Sequence, residues 1–277
     1  MLCRPTILLL LCGALACAPE SPDRGTYLGD GTALATFAAH GDGAEPFDVD
    51  VVFPSQANGA PQPGPFPGAV ILPDDGVDRT SYRWLAQALA KQGFVVAMPE
   101  MSLGKASVDP DRANVSHDLL RSDRGLLKGL ITNRVALLGH GAGGETALHQ
   151  AVNGPFQALV LLANAPVSGD EAEKVGAVSL VVVGTSDCAL SLADAQAGWS
   201  RLPSPSVFVQ VVGATHTQFT DDDSADRADC EPGTSLQAAH QNIATAVAEF
   251  LRFALESDQA ALGALEEGTA DLSVETR

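Results

Sequence analysis

The chain has 277 residues, 45% of them hydrophobic, and a formal net charge of −18. That length and apolar content suit one domain with a full core and fall short of two comfortable ones. The acidic excess excludes nucleic acid and anionic membrane surfaces as partners, because both call for clustered Lys and Arg.

The first residues read as an export signal: Arg4 gives a positive start, Ile7 to Leu11 form a short apolar run, and Ala14-Leu15-Ala16-Cys17 follows. The run is well short of the roughly 20 apolar residues that a spanning helix needs. A small residue before Cys17 resembles the bacterial lipobox. That resemblance implies a signal peptide over 1–16, Cys17 as the lipidated first mature residue, and a cell-envelope protein that touches membrane only through its lipid anchor. Cleavage after Ala16 without a lipid, giving a periplasmic or secreted protein, is the alternative. Cys3 and Cys12 leave with the signal, so Cys188 and Cys230 remain. A pair in an oxidising compartment suggests a disulfide, with two unpaired buried thiols as the alternative.

Phe47 to Phe53 alternates apolar and polar residues as a half-exposed strand does. Gly59 to Gly68, with proline at 61, 63, 65 and 67, must run as an extended surface connection. Ala69 to Leu72 is a buried-strand run, Ser81 to Gln92 has helical spacing, and Gly93 stops that helix before the strand Phe94 to Met98. The alternation recurs. Further strand runs are Arg134 to Leu138, Ala158 to Ala163, Ser179 to Val183 and Ser206 to Val212. Helical stretches lie near Arg112 to Leu127, Glu145 to Val152 and Leu190 to Trp199. Such a pattern builds an α/β fold, a mostly parallel sheet with helices on both faces. Ser235 to Leu255 closes the domain, expected over 17–255, as an amphipathic helix. The tail 256–277 is short of large apolar residues and is expected to fray. The acidic stretch Asp221 to Asp229 lacks the spacing of a calcium loop and reads as solvated. No metal and no cofactor is expected.

The strand Arg134 to Leu138 runs into Gly139-His140-Gly141-Ala142-Gly143-Gly144 and then a helix. A tight strand-to-helix turn flanked by glycines is the setting of a hydrolase nucleophile, and Gly141 stands where that nucleophile belongs. The setting also requires an acid after a later strand and a histidine after the last one. Asp187 follows Val181 to Val183, and His216 follows Val211-Val212-Gly213. Gly139, Gly141 and Gly144 also satisfy the G-x-G-x-x-G dinucleotide fingerprint. Yet the strand after it ends in Asn164-Ala165-Pro166 instead of an acid, and at least three strands precede it.

From Phe47 to Leu255 the chain resembles exported bacterial α/β-hydrolases of the dienelactone hydrolase, cutinase-like polyester hydrolase and chlorophyllase type. The resemblance rests on Phe66 to Pro73, the Ser81-Tyr82-Arg83-Trp84-Leu85 helix start, Gly93 to Val96, the Gly-His-x-x-Gly-Gly turn, and Gly213-Ala214-Thr215-His216. It implies an α/β-hydrolase fold with the nucleophile position at Gly141, the acid at Asp187 and the base at His216. It further implies oxyanion-hole amides at Ala142 and Asp75, a disulfide between Cys188 and Cys230 bracing the acid and histidine loops, and a small or polymeric ester as ligand. Two departures fall on the centre: Gly141 removes the nucleophile, and Asp74-Asp75 places carboxylates where a developing oxyanion would be opposed. The expectation is a degenerate hydrolase with a binding or scaffold role. A slow esterase in which Asp187 orients His216 to activate water is the alternative.

Overall fold

The computed structural model describes residues 21–41, 45–101, 111–167, 169–221 and 231–277. The export segment with Cys17, and Cys230 with most of the acidic stretch, lie outside the described residues.

An N-terminal hairpin, β1 (Thr26–Gly29) and β2 (Thr32–Ala39), leads into β3 (Phe47–Pro54) and β4 (Phe66–Leu72). A 3₁₀ turn and α1 (Arg83–Lys91) precede β5 (Val95–Pro99), and α2 (Asp111–Leu120) precedes β6 (Ile131–His140). Then come α3 (Ala142–Asn153), β7 (Ala158–Leu162), α4 (Gly169–Ala172) and β8 (Val178–Gly184). The chain finishes with α5 (Leu192–Trp199), β9 (Ser206–Val211), α6 (Leu236–Glu256), α7 (Gln259–Glu267) and β10 (Leu272–Thr276). All ten strands form one sheet in the order β1-β2-β3-β5-β4-β6-β7-β8-β9-β10. The central run from β5 to β9 is parallel, while β1, β2, β3 and β10 pair antiparallel at its edges.

Period-two alternation along the central strands divides the core in two. Val181 and Val183 of β8 face one side with Ala113, Leu120, Ala147, Leu148 and Trp199 from α2, α3 and α5. Leu180 and Val182 face the other with Leu85 and Leu89 of α1 and Ile243, Val247 and Phe250 of α6. Strands buried on both faces need near-continuous apolar runs, which is what β4, β5 and β7 carry.

Two expectations need correction. The tail 256–277 does not fray: Asp258 caps α7 by accepting from the Ala260 and Ala261 amides, and β10 pairs with Val207 to Val211 of β9. Its few apolar residues suffice because Ala261, Leu265 and Leu272 are all buried, and pairing satisfies an edge whose backbone would otherwise be open. The helix expected to reach Leu127 ends at Leu120, and only a 3₁₀ turn spans Gly125–Leu127. The hairpin β1–β2, not foreseen, extends the sheet beyond β3.

Candidate active site

The central strands run parallel, so β4, β6, β8 and β9 all deliver their C-terminal ends to one edge of the sheet, where α/β folds place their chemistry. Asp74 and Asp75 follow β4, Gly141 follows β6, Asp187 follows β8 and His216 follows β9. The structure thus brings these sequence-predicted positions into one cluster.

The turn after β6 keeps the strained backbone of a nucleophile elbow. Gly141 has φ +49° and ψ −121°, and its carbonyl accepts from the Gly144 amide at 2.9 Å and from Asn164 Nδ2 at 2.8 Å. The flanking glycines allow α3 to close on the strands: a Cβ on Gly139 would lie 2.2 Å from the Gly143 carbonyl oxygen, and one on Gly143 would lie 2.3 Å from that of Pro73. The turn has the shape expected of a nucleophile elbow, with glycine at the expected nucleophile position.

Asp187 is fully buried as a side chain. Its Oδ1 accepts from the amides of Ala189 and Leu190 at 2.7 and 2.9 Å, and its Oδ2 meets His216 Nδ1 at 2.9 Å. These three contacts fix the ring of His216 and aim its Nε2 at the elbow, the orientation an acid gives a catalytic base.

What meets Nε2 is Asp74. Its Oδ2 lies 3.3 Å from His216 Nε2. Its Oδ1 accepts from the amides of both Ala142, at 2.7 Å, and Asp75, at 2.8 Å. The two amides expected to cradle an oxyanion therefore converge, and the atom they converge on is the chain's own carboxylate oxygen. A Cβ on Gly141 would lie 2.2 Å from that same oxygen, so Asp74 occupies the space that a side chain at 141 would take.

Two residues that the sequence did not single out complete the cluster. The buried Tyr82 hydroxyl accepts from the Asp74 amide at 2.9 Å and bonds His140 Nδ1 at 2.8 Å. The His140 ring lies 4.7 Å from that of His216, centroid to centroid, and stacks on Phe219. In the sequence His140 stands only as part of the Gly-His-x-x-Gly-Gly turn, and nothing in a single chain tells where its ring points.

The electrostatics follow from this packing. Burial alone would lower the His216 pKa, but Asp187 and Asp74 on its two nitrogens outweigh it and raise it to about 9. His216 is thus an imidazolium at neutral pH. Burial would raise the Asp74 carboxyl, yet the bond to His216 and those from the Ala142 and Asp75 amides hold it well below the usual carboxylate range. His140, with no carboxylate in hydrogen-bond contact, is pushed down to about 3 by burial, with His216⁺ adding to the shift. Above the cluster lies a cavity of about 350 Å³, lined by Asp74, Asp75, Asp78, His140, His216 and Thr217 among others. Its lining supplies two imidazoles and a carboxylate, with one donor atom from each of Asp74, His140 and His216 within 4.8 Å of the others. No dinucleotide loop is formed, because Asp74 fills the space in front of the glycine turn.

Residues 68–232, more than half of the chain, match the sequence model of the alpha/beta hydrolase family. None of the curated proteins matches the chain.

Proposed function

The chain belongs to the α/β-hydrolase family, and from that premise we propose that it is a catalytically silent member, which keeps the hydrolase pocket for binding or scaffolding. One observation carries this reading: Asp74 Oδ1 takes both oxyanion-hole amides while its Oδ2 takes the histidine. Ester hydrolysis needs a nucleophile, an unprotonated base and donors free for the developing oxyanion. Here the first is a glycine, the second is charged between two carboxylates, and the third are engaged. The water-activating alternative would use the preserved Asp187–His216 pair, but it requires the nitrogen that Asp74 holds.

Within the same proposal the protein is an exported member of the dienelactone hydrolase, polyester hydrolase and chlorophyllase type, anchored through Cys17 and braced by Cys188–Cys230. The N-terminal signal and the Gly-His-x-x-Gly-Gly turn support this. The ligand it implies is a small or polymeric ester. Mass spectrometry of the mature protein, intact and after non-reducing digestion, tests both the lipid and the disulfide.

The catalytic reading is tested by p-nitrophenyl butyrate hydrolysis. The expected outcome is no activity in the wild-type chain beyond that of His216→Ala. Gly141→Ser alone should also be inactive, because the new side chain collides with Asp74 and the hole stays filled. Combining Gly141→Ser with Asp74→Gly clears both obstacles and should give turnover that depends on His216. Robust wild-type hydrolysis abolished by His216→Ala would overturn the proposal.

A further inference from the structure

We infer that Asp74, His140 and His216 form a three-ligand site for a divalent transition-metal ion of the Zn²⁺ class. This goes beyond the loss of esterase activity and does not depend on it. The three side chains arrive from three separate strand ends, after β4, β6 and β9, with donor atoms within 4.8 Å of one another. Two imidazoles and one carboxylate, with a further position open to water, make a donor set that suits Zn²⁺ and its neighbours.

Each imidazole is already held from behind as a ligand would be. Asp187 Oδ2 holds His216 Nδ1 at 2.9 Å, and the Tyr82 hydroxyl holds His140 Nδ1 at 2.8 Å. That leaves Nε2 of each ring facing the site, and in His216 the ion would take the place of the proton that Nε2 now directs at Asp74 Oδ2, that proton being released to solvent. In His140 this atom is buried and has no side-chain partner among the described residues, the His216 backbone being the group that acts on the ring. A buried polar atom so weakly partnered is destabilising, and its residue's position on the cavity wall points to a ligand. The Tyr82 hydroxyl can accept two hydrogen bonds. It can therefore receive His140 in its Nδ1–H tautomer and expose the Nε2 lone pair.

The spacing also fits. The His216 Nε2 to Asp74 Oδ2 separation is 3.3 Å, and two ligands about 2.0–2.1 Å from a tetrahedral ion stand about 3.3 Å apart. Closing the widest pair to that spacing requires a contraction of at most about 1.5 Å. The glycine at 141 is a condition of the site, since any side chain there would displace the carboxylate ligand. The cavity of about 350 Å³ reaches all three residues and leaves a coordination position open to water.

Chelator-treated full-length mature protein is titrated with Zn²⁺ by calorimetry and with Co²⁺ by visible absorption, and the His ring resonances are followed by NMR. The expected result is one saturable equivalent, a strong tetrahedral Co²⁺ band, and shifts confined to His140 and His216. Asp187→Asn should weaken binding roughly 10- to 100-fold, and Asp74→Asn and His216→Gln at least as much, with a cooperative melt verifying that each variant folds. No saturable binding up to millimolar Zn²⁺ would overturn the site. So would full-strength binding by both folded ligand variants, which would place the ion on other carboxylates. If the variants do not fold, wild-type NMR decides: shifts that bypass both rings overturn the site. None of these readings uses ester turnover, so failure here and failure of the silent-hydrolase reading are distinguishable.

Discussion

A methyl group on residue 141 would sit 2.2 Å from Asp74 Oδ1, so the glycine and the aspartate are two halves of one change. Gly141→Ala should lose about 2–3 kcal/mol, from overpacking and from the positive φ, and part of that loss should vanish in an Asp74→Ala background. Urea denaturation of the four proteins in a double-mutant cycle measures the coupling; strictly additive effects would refute the mutual dependence. The ion pair has a pH signature in the metal-free protein. His216 has its folded pKa raised from 6.5 to about 9, so its contribution is complete below the unfolded value and lost as pH rises through 9. Asp74 has its pKa lowered, so its contribution is present above the unfolded value, about 3.9, and lost on acidification. His216 with its two carboxylates, Asp187 and Asp74, therefore stabilises fully between about pH 4 and 6.5, by on the order of 3 kcal/mol counted once. Urea midpoints should fall from pH 6.5 to 9.5 in the wild type and fall less in Asp74→Asn, where Asp187 still raises the His216 pKa. A flat wild-type profile over that range would contradict the charge state drawn from the geometry.

At the scale of elements, the β6–α3 turn has the shape that the family resemblance implies. Its glycines serve packing as much as chemistry, since a Cβ at 143 would meet the backbone carbonyls of Pro73 at 2.3 Å and Leu72 at 2.6 Å. Backbone cannot move aside as a flexible side chain can. Gly143→Ala should destabilise by about 3 kcal/mol, read as a lowered urea midpoint, even though position 143 bears no chemical role. This turn was legible in the sequence because its glycines, the apolar run before it and the helix after it are local signals. Asp187 and His216 were legible for a related reason: each stands directly after a strand run, and parallel strands must carry such residues to the same edge. His140 and Tyr82 were not, because both lie in segments whose local pattern says only strand or helix. Their meeting at 2.8 Å across 58 positions is a product of packing.

For the whole molecule, the least expected feature is the C-terminal closure of the sheet. β10 covers β9 along five paired residues, from Leu272 opposite Val211 to Thr276 opposite Val207. Removing residues 258–277 would open an edge strand carrying Val207, Phe208, Val209 and Val211, all buried in the intact chain. An exposed apolar edge recruits other chains, so the truncated protein should self-associate in light scattering and unfold at lower urea. A monomeric truncation of unchanged stability would show the tail to be dispensable. Composition misleads here because α7 and β10 bury only a few side chains, and much of their stabilisation comes from backbone pairing that residue type does not report.

By itself the sequence determined the alternation of strands and helices, the order of Gly141, Asp187 and His216 along the sheet edge, and the glycine at the turn after β6. All of these are written in local periodicity or in the identity of one residue. Only the tertiary structure decided that Asp74 turns inward, takes both amides and the histidine, and gathers with His140 and Tyr82 into a closed cluster. A carboxylate beside an empty position can point to solvent or into the hole. Which it does depends on the neighbouring Asp75 amide together with an amide and an imidazole from two distant segments, after β6 and after β9, whose joint geometry no stretch of sequence contains.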